Sequence, residues 1–88
     1  MPAFEWFDGF IAGNQAAGFF AANQPAFRYA DIQARPITGR FLSGPPQLRV
    51  TDLTFEVDDN GNLTYTWVLH NDSPSATRFK FRMFFEDY

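Results

Sequence analysis

Three segments in the second half of the chain alternate apolar and polar side chains with a period of two, and that pattern leaves few folds open. Leu63, Tyr65, Trp67 and Leu69 alternate with Thr64, Thr66, Val68 and His70. Phe79, Phe81, Met83 and Phe85 alternate with Arg78, Lys80, Arg82 and Phe84, and Leu53, Phe55 and Val57 with Thr54 and Glu56. Such alternation describes β-strands that bury one face. Leu48 and Val50 extend the first strand but are out of phase with Leu53. A bulge at Thr51-Asp52 repairs the phase, because one extra residue flips the alternation.

Turn chemistry then sets the register. A two-residue Asn60-Gly61 turn would pair Val57 with Thr64, apolar against polar on one face. A three-residue loop, Asp59-Asn60-Gly61, pairs Val57 with Leu63, Phe55 with Tyr65 and Leu53 with Trp67. It also puts Gly61 at the left-handed position such loops need. With Asn71–Ala76 as a second loop, matching faces set Leu69 opposite Phe79, Trp67 opposite Phe81 and Tyr65 opposite Met83. The expectation is a three-stranded antiparallel meander over residues 48–88. Its last strand, Thr77–Phe85, would be an apolar edge and a pairing hazard.

The apolar face of that meander needs a cover, and the composition changes where one could begin. Before Gly44-Pro45-Pro46, a breaker, Ala, Gly, Asn, Gln and Phe dominate and charges balance. The whole net charge of −3 falls in residues 48–88. Within residues 1–26, Gly9-Phe10-Ile11-Ala12-Gly13-Asn14-Gln15 recurs as Gly18-Phe19-Phe20-Ala21-Ala22-Asn23-Gln24. Read as a helix, Gly9, Gly13, Ala17 and Ala21 make a row of small residues suited to close backbone approach. A shift of nine turns the two copies to opposite sides. Gly9, Gly13 and Gly18 each cost a helix about 1 kcal/mol against Ala, so a break near Gly18 and an end before Pro25 are expected. The connector, residues 27–47, reads as irregular or edge-strand: Phe27, Tyr29, Ile32 and Ala34 suggest an extended segment, Pro36 forbids a central strand, Thr38-Gly39 suggests a turn, and Arg40-Phe41-Leu42 a short strand. The expected class is α+β, or mainly β, with a partly helical apolar arm before the meander.

Chemistry is sparse. The chain has no Cys, which removes disulfides, thiol nucleophiles and Cys-based zinc sites. Its one His, His70, ends a strand on the less apolar face near Arg78, with no second metal ligand or nucleophile to serve. Glu56–Asn62 resembles a calcium loop only in part. With Gly61 at the sixth place, the twelfth is Trp67, where a bidentate Glu is required, so the segment reads as turn chemistry. Arg78, Lys80 and Arg82 lie opposite Phe79 and Phe81 across the pleat, so base and ring cannot jointly grip a nucleic-acid strand. Asp58-Asp59 and Glu86-Asp87 do not face one another across a cleft, as a hydrolytic pair must. Asn62-Leu63-Thr64 and Asn71-Asp72-Ser73 match the glycosylation sequon, a motif common by chance.

Association is the remaining signal. Phe accounts for 12 of 88 residues, more than one small core comfortably hides, and Arg outnumbers Lys six to one; both biases suit protein interfaces. The expected role is a non-enzymatic structural or interaction subunit of a larger protein assembly, without cofactor, metal or catalytic residue. A small virion component, such as a phage minor or decoration protein, is its most specific form. Partner-binding residues are expected at Trp6, Phe10, Gly13, Phe19 and Phe20, with other protein chains as partners and no direct readout of nucleic acid. The alternatives are an independent soluble binding module whose arm folds over its own sheet, and a membrane-surface domain using Trp6, Phe7, Phe10 and Ile11. An acidic N-terminus, with no base before Arg28, counts against the last.

Overall fold

The computed structural model describes residues 3–37 and 47–87. It contains six strands, β1 (Ala3–Ile11), β2 (Ala16–Gln24), β3 (Arg28–Pro36), β4 (Leu48–Val57), β5 (Leu63–Asn71) and β6 (Thr77–Asp87). They form two antiparallel sheets, ordered β1-β6-β3 and β2-β5-β4. The expected breaker, the Thr38-Gly39 turn and the Arg40–Leu42 strand lie outside the described residues.

The α+β expectation is overturned: among the described residues there is no helix, and the arm supplies two strands. Two things hide a strand in this sequence. In β1 a bulge between Trp6 and Gly9, with Phe7 at φ 63°, breaks the alternation. In β2 both faces are apolar or small: Ala17, Phe19 and Ala21 pack against the core, while Ala16, Gly18, Phe20 and Ala22 face out. Glycine weakens a strand as it does a helix, but the aromatic residues of both segments suit a pleated surface. A shift of nine is odd, so the two copies of the repeat take opposite strand phases, Phe10 out and Phe19 in. Both copies put their Asn in the left-handed region, Asn14 at φ 57° and Asn23 at φ 59°, a conformation Asn tolerates well.

The β4–β5 hairpin follows the sequence reading. Val57 pairs with Leu63 and Phe55 with Tyr65, and the register shifts between Thr51 and Thr54, with Asp52 at φ 57°. Leu53 falls inside that bulge rather than opposite Trp67. Gly61 has φ 83°, and the loop is closed by Asp58 N–H to the Asn62 carbonyl at 2.8 Å.

The meander does not continue. β6 leaves this sheet and becomes the centre of the other, paired with β1 on one side and β3 on the other, so it is no edge. From Leu63 to Leu69 the inner face of β5 is apolar, as is that of β6 from Phe79 to Phe85; side by side in one sheet they would double the area to be covered, while face to face they bury each other. The expected partners still meet, but across the core. Trp67 and Phe81 lie edge to face with ring centroids 5.2 Å apart. Tyr65, Leu69, Phe79, Phe81, Met83 and Ile32 are all at most 2 % exposed.

The crossing from β5 to β6 turns on Asn71, which is buried. Its Nδ2 donates to the carbonyls of Ile11 (3.1 Å), Ala12 (3.2 Å) and Ser75 (3.0 Å), and its Oδ1 accepts from Ser73 N–H (3.0 Å) and the Ser73 hydroxyl. One side chain thus fastens the β1–β2 corner to the β5–β6 corner. The sequon at Asn71 is therefore closed to a glycan, because its amide nitrogen is enclosed by the fold. Gly13 sits in the same place: a Cβ there would run into the Pro74 carbonyl.

Candidate functional site

The sandwich has two open sides. On one, β3 lies against β4, and a groove of about 280 Å³ is lined by Asp31, Gln33 and Arg49 together with Ile32, Ala34, Leu48 and Val50. On the other, the β1 and β2 edges part around a cleft of about 190 Å³. Trp6, Phe7, Phe19, Phe20, Trp67 and Phe81 line it with Gly18, and none of them is charged. Phe19 meets Phe81 edge to face at 4.8 Å and stacks on Trp67 at 6.4 Å. Phe7 contributes its ring from the bulge, 5.6 Å from Phe19 and 5.8 Å from Phe81, yet stays 49 % exposed. A bulky residue at positive φ is strained, and such strain concentrates at functional positions. Among the described residues Trp67 Nε1 and Tyr65 Oη are buried without a hydrogen-bond partner. Burial also pushes the Tyr65 hydroxyl pKa up.

The β2 edge gives this side its chemistry. Asn71 N–H donates to the Gln15 carbonyl at 2.8 Å, so Gln15, Ala17, Phe19 and Ala21 turn their backbone groups toward β5. The alternation of an antiparallel ladder then points the N–H and C=O groups of Ala16, Gly18 and Phe20 outward, up to a bulge between Ala21 and Gln24 where Gln24 Nε2 donates to the Ala22 carbonyl at 3.1 Å. No side chain of β2 is charged, whereas β1 carries Glu5 and Asp8, β3 Arg28, Asp31 and Arg35, and β4 Arg49, Asp52 and Glu56. Charge is the usual guard of a free strand edge. Phe20 stands 72 % exposed on the outer face, and the space above Gly18 beside it is open.

The expected partner residues therefore separate. Trp6, Phe19 and Phe20 all line the cleft, Phe20 from its outer rim. Phe10 is 74 % exposed, but on the outer face of the other sheet, next to Arg78 in the ladder. Gly13 is held against Pro74 at the corner. The row Gly9, Gly13, Ala17 and Ala21 required a helix and does not exist. Of the four residues named for a membrane-surface arm, Ile11 is buried and Trp6 packs on the core, while Phe7 and Phe10 are exposed.

Phe7, Gly18 and Trp67 escaped the reading of this site. The available signal was the run from Gly9 to Phe27, which contains no charged residue.

The other candidates have ordinary partners. His70 shares a 2.8 Å hydrogen bond with Thr51 and lies in the sheet that Arg78 does not occupy. Asp58 Oδ1 accepts from the N–H groups of Asn60 and Asn62 at 2.8 and 2.9 Å, closing the turn. Because β6 changes sheet, the acids that face its basic ladder come from β1 and not from β4. Arg78 pairs with Asp8 (2.8 Å) and Arg82 with Glu5 (3.6 Å), while Arg35 also reaches Glu5 at 2.9 Å. The hydrogen bond from Arg78 holds the Asp8 pKa below its ordinary value, and that from Arg35 does the same for Glu5. Asp87 pairs with Arg28 at 2.8 Å. Among the described residues no three His, Asp or Glu side chains cluster as a metal would require. Comparison with protein-family models, curated proteins and solved structures finds no match.

Proposed function

We propose that the chain is a non-enzymatic structural or interaction subunit of a larger protein assembly, joining other protein chains through its β1/β2 side. The observation that carries this reading is β2: a strand edge with free backbone groups, no charge and a projecting Phe20. Exposed edges of this kind add a strand from a partner, with main-chain hydrogen bonds supplying affinity and side-chain pockets specificity. The aromatic cleft beside it offers apolar surface and no acid–base or nucleophilic pair. A small virion component is the most specific form of the reading, carried by size and composition.

The alternative of an independent binding module is favoured by one observation, that β1 and β2 pack within their own chain. The two readings part on association. Sedimentation velocity from micromolar to millimolar concentration should give a defined oligomer, and Phe20→Lys should shift it toward monomer without changing the far-UV spectrum. A chain that stays monomeric throughout, with Phe20→Lys indistinguishable from it, would favour the module and overturn the assembly reading.

A further inference from the structure

We infer that the partner at the β2 edge is a second copy of this chain, paired β2 to β2 about a twofold axis through Phe19; the inference rests on the assembly reading above. Three independent features of the strand fix both the partner and the register.

The first is parity. A sheet that continues from one copy into the next must keep its inner face inside, so an antiparallel twofold pairing must set inward residues opposite inward residues. The outward backbone groups ahead of the bulge between Ala21 and Gln24 belong to Ala16, Gly18 and Phe20, so the hydrogen-bonded pairs must be built on these. Both conditions hold for every register that pairs inward with inward residues, and among these shape selects the one in which Phe19 faces Phe19 of the partner. Gly18 of each copy then exchanges two hydrogen bonds with Phe20 of the other, and the bulge between Ala21 and Gln24 ends the regular ladder.

The second is shape. Ala16-Ala17-Gly18-Phe19-Phe20-Ala21-Ala22 reads nearly the same in both directions. Its one asymmetry, Gly18 against Phe20, is complementary in this register. The exposed Phe20 ring of one copy lies over Gly18 of the other, where the outer surface is open. Aromatic side chains cover cross-strand glycines in this way. On the inner face the two Phe19 residues come side by side, so each copy closes the open end of the other's aromatic cleft.

The third is charge. Each copy carries −3, yet none of that charge lies on β2, so two copies meet here without like-charge contact. A twofold interface of this kind closes on itself instead of propagating.

Gly18→Val supplies the test, because the monomer has room for the side chain and the dimer does not. Sedimentation velocity should show a dimer for the native chain and at least a tenfold weaker one for Gly18→Val, whose thermal unfolding at low concentration should match or exceed the native value. Cysteine cross-linking should read the register directly. Directly opposed non-hydrogen-bonded residues lie about 4.5 Å apart at Cα, within disulfide range. A mixture of Ala17→Cys and Ala21→Cys chains should therefore oxidise to a mixed covalent dimer, while Ala17→Cys alone should not, its two sulfur sites being offset by about 14 Å along the strand. A defined oligomer that is indifferent to Gly18→Val, or that cross-links Ala17→Cys to itself, would overturn this register and leave the assembly reading standing. A native chain that is monomeric at every concentration would overturn both. So would an aromatic small molecule such as indole binding the cleft of a chain that never dimerises.

Discussion

The two open sides of the sandwich face the same geometric problem and answer it differently. Where β3 meets β4, both edges carry charge, the groove is polar, and Arg49 is tied to Asp72 at 2.6 Å. Where β1 parts from β2, the groove is aromatic and the β2 edge is bare. The first side is compatible with water; the second keeps apolar surface and backbone hydrogen-bonding groups in reserve. The asymmetry between the two sides lies in side chains, since each sheet has three strands.

Removing the wall behind the aromatic side should break the comparison outright. Trp67→Ala deletes a ring that contacts Trp6, Phe19 and Phe81 and should cost about 3–5 kcal/mol, read by urea denaturation. In a domain of ordinary marginal stability that approaches global unfolding. Retention of a cooperative transition near the native midpoint would mean that Trp67 belongs to a docking surface instead of the core.

The corner that fastens the aromatic side comes next. Asn71→Ala takes this donor from the buried Ile11 carbonyl and the partly buried Ala12 carbonyl and should cost about 2–3 kcal/mol. Amide exchange should rise around the β1–β2 turn more than in β3, and a uniform rise would show that the corner is not a local fastening.

Gly61→Val tests the β4–β5 hairpin, remote from both sides. A Cβ at Gly61 meets nothing, so the cost arises from φ alone and should be about 1–2 kcal/mol in a thermal melt. A neutral result would show the loop free to adopt another turn.

The smallest effect concerns the exposed ion pairs. The pKa values of Glu5, Asp8, Asp72 and Asp87 are lowered by hydrogen bonds from Arg35, Arg78, Arg49 and Arg28. A carboxylate depressed in the folded state stabilises above its unfolded value, here 3.8 for Asp and 4.5 for Glu, and that contribution is lost as pH falls below it. The melting temperature should therefore be level from pH 7 to 5 and decline below about pH 4.5. The decline should be blunted by salt, which screens exposed pairs. Arg49→Ala should leave the midpoint at pH 7 almost unmoved.

What the sequence made legible follows the same division. The loop of β4 and β5 and their pairing from Phe55 to Tyr65 were readable, and the bulge to within a residue, because one face is apolar, the other polar, and Asp58-Asp59-Asn60-Gly61 is turn chemistry. β1 and β2 were not: a bulge scrambles one pattern, and the other has no polar face to alternate with. The crossing of β6 was hidden for a different reason. Period two says which side chains share a face, not whether that face looks along a sheet or across a core, and Trp67 with Phe81 satisfies either. Asn71 looked like a loop residue or a sequon, since a buried amide that serves three carbonyls leaves no local signature.

The order of strands carries a consequence for how the chain comes to its fold. All four edge strands, β1 to β4, precede both central strands in the sequence. As the chain is synthesised, β1, β2 and β3 therefore have no ladder to join until β5 and β6 follow, and nearly every pairing outside the β4–β5 hairpin spans a long stretch of sequence, which slows folding. For that interval the uncharged β2 waits unpaired. Resistance of ribosome-bound chains to protease should accordingly appear in one late step, after β6 has emerged, and protection gained strand by strand would contradict this order.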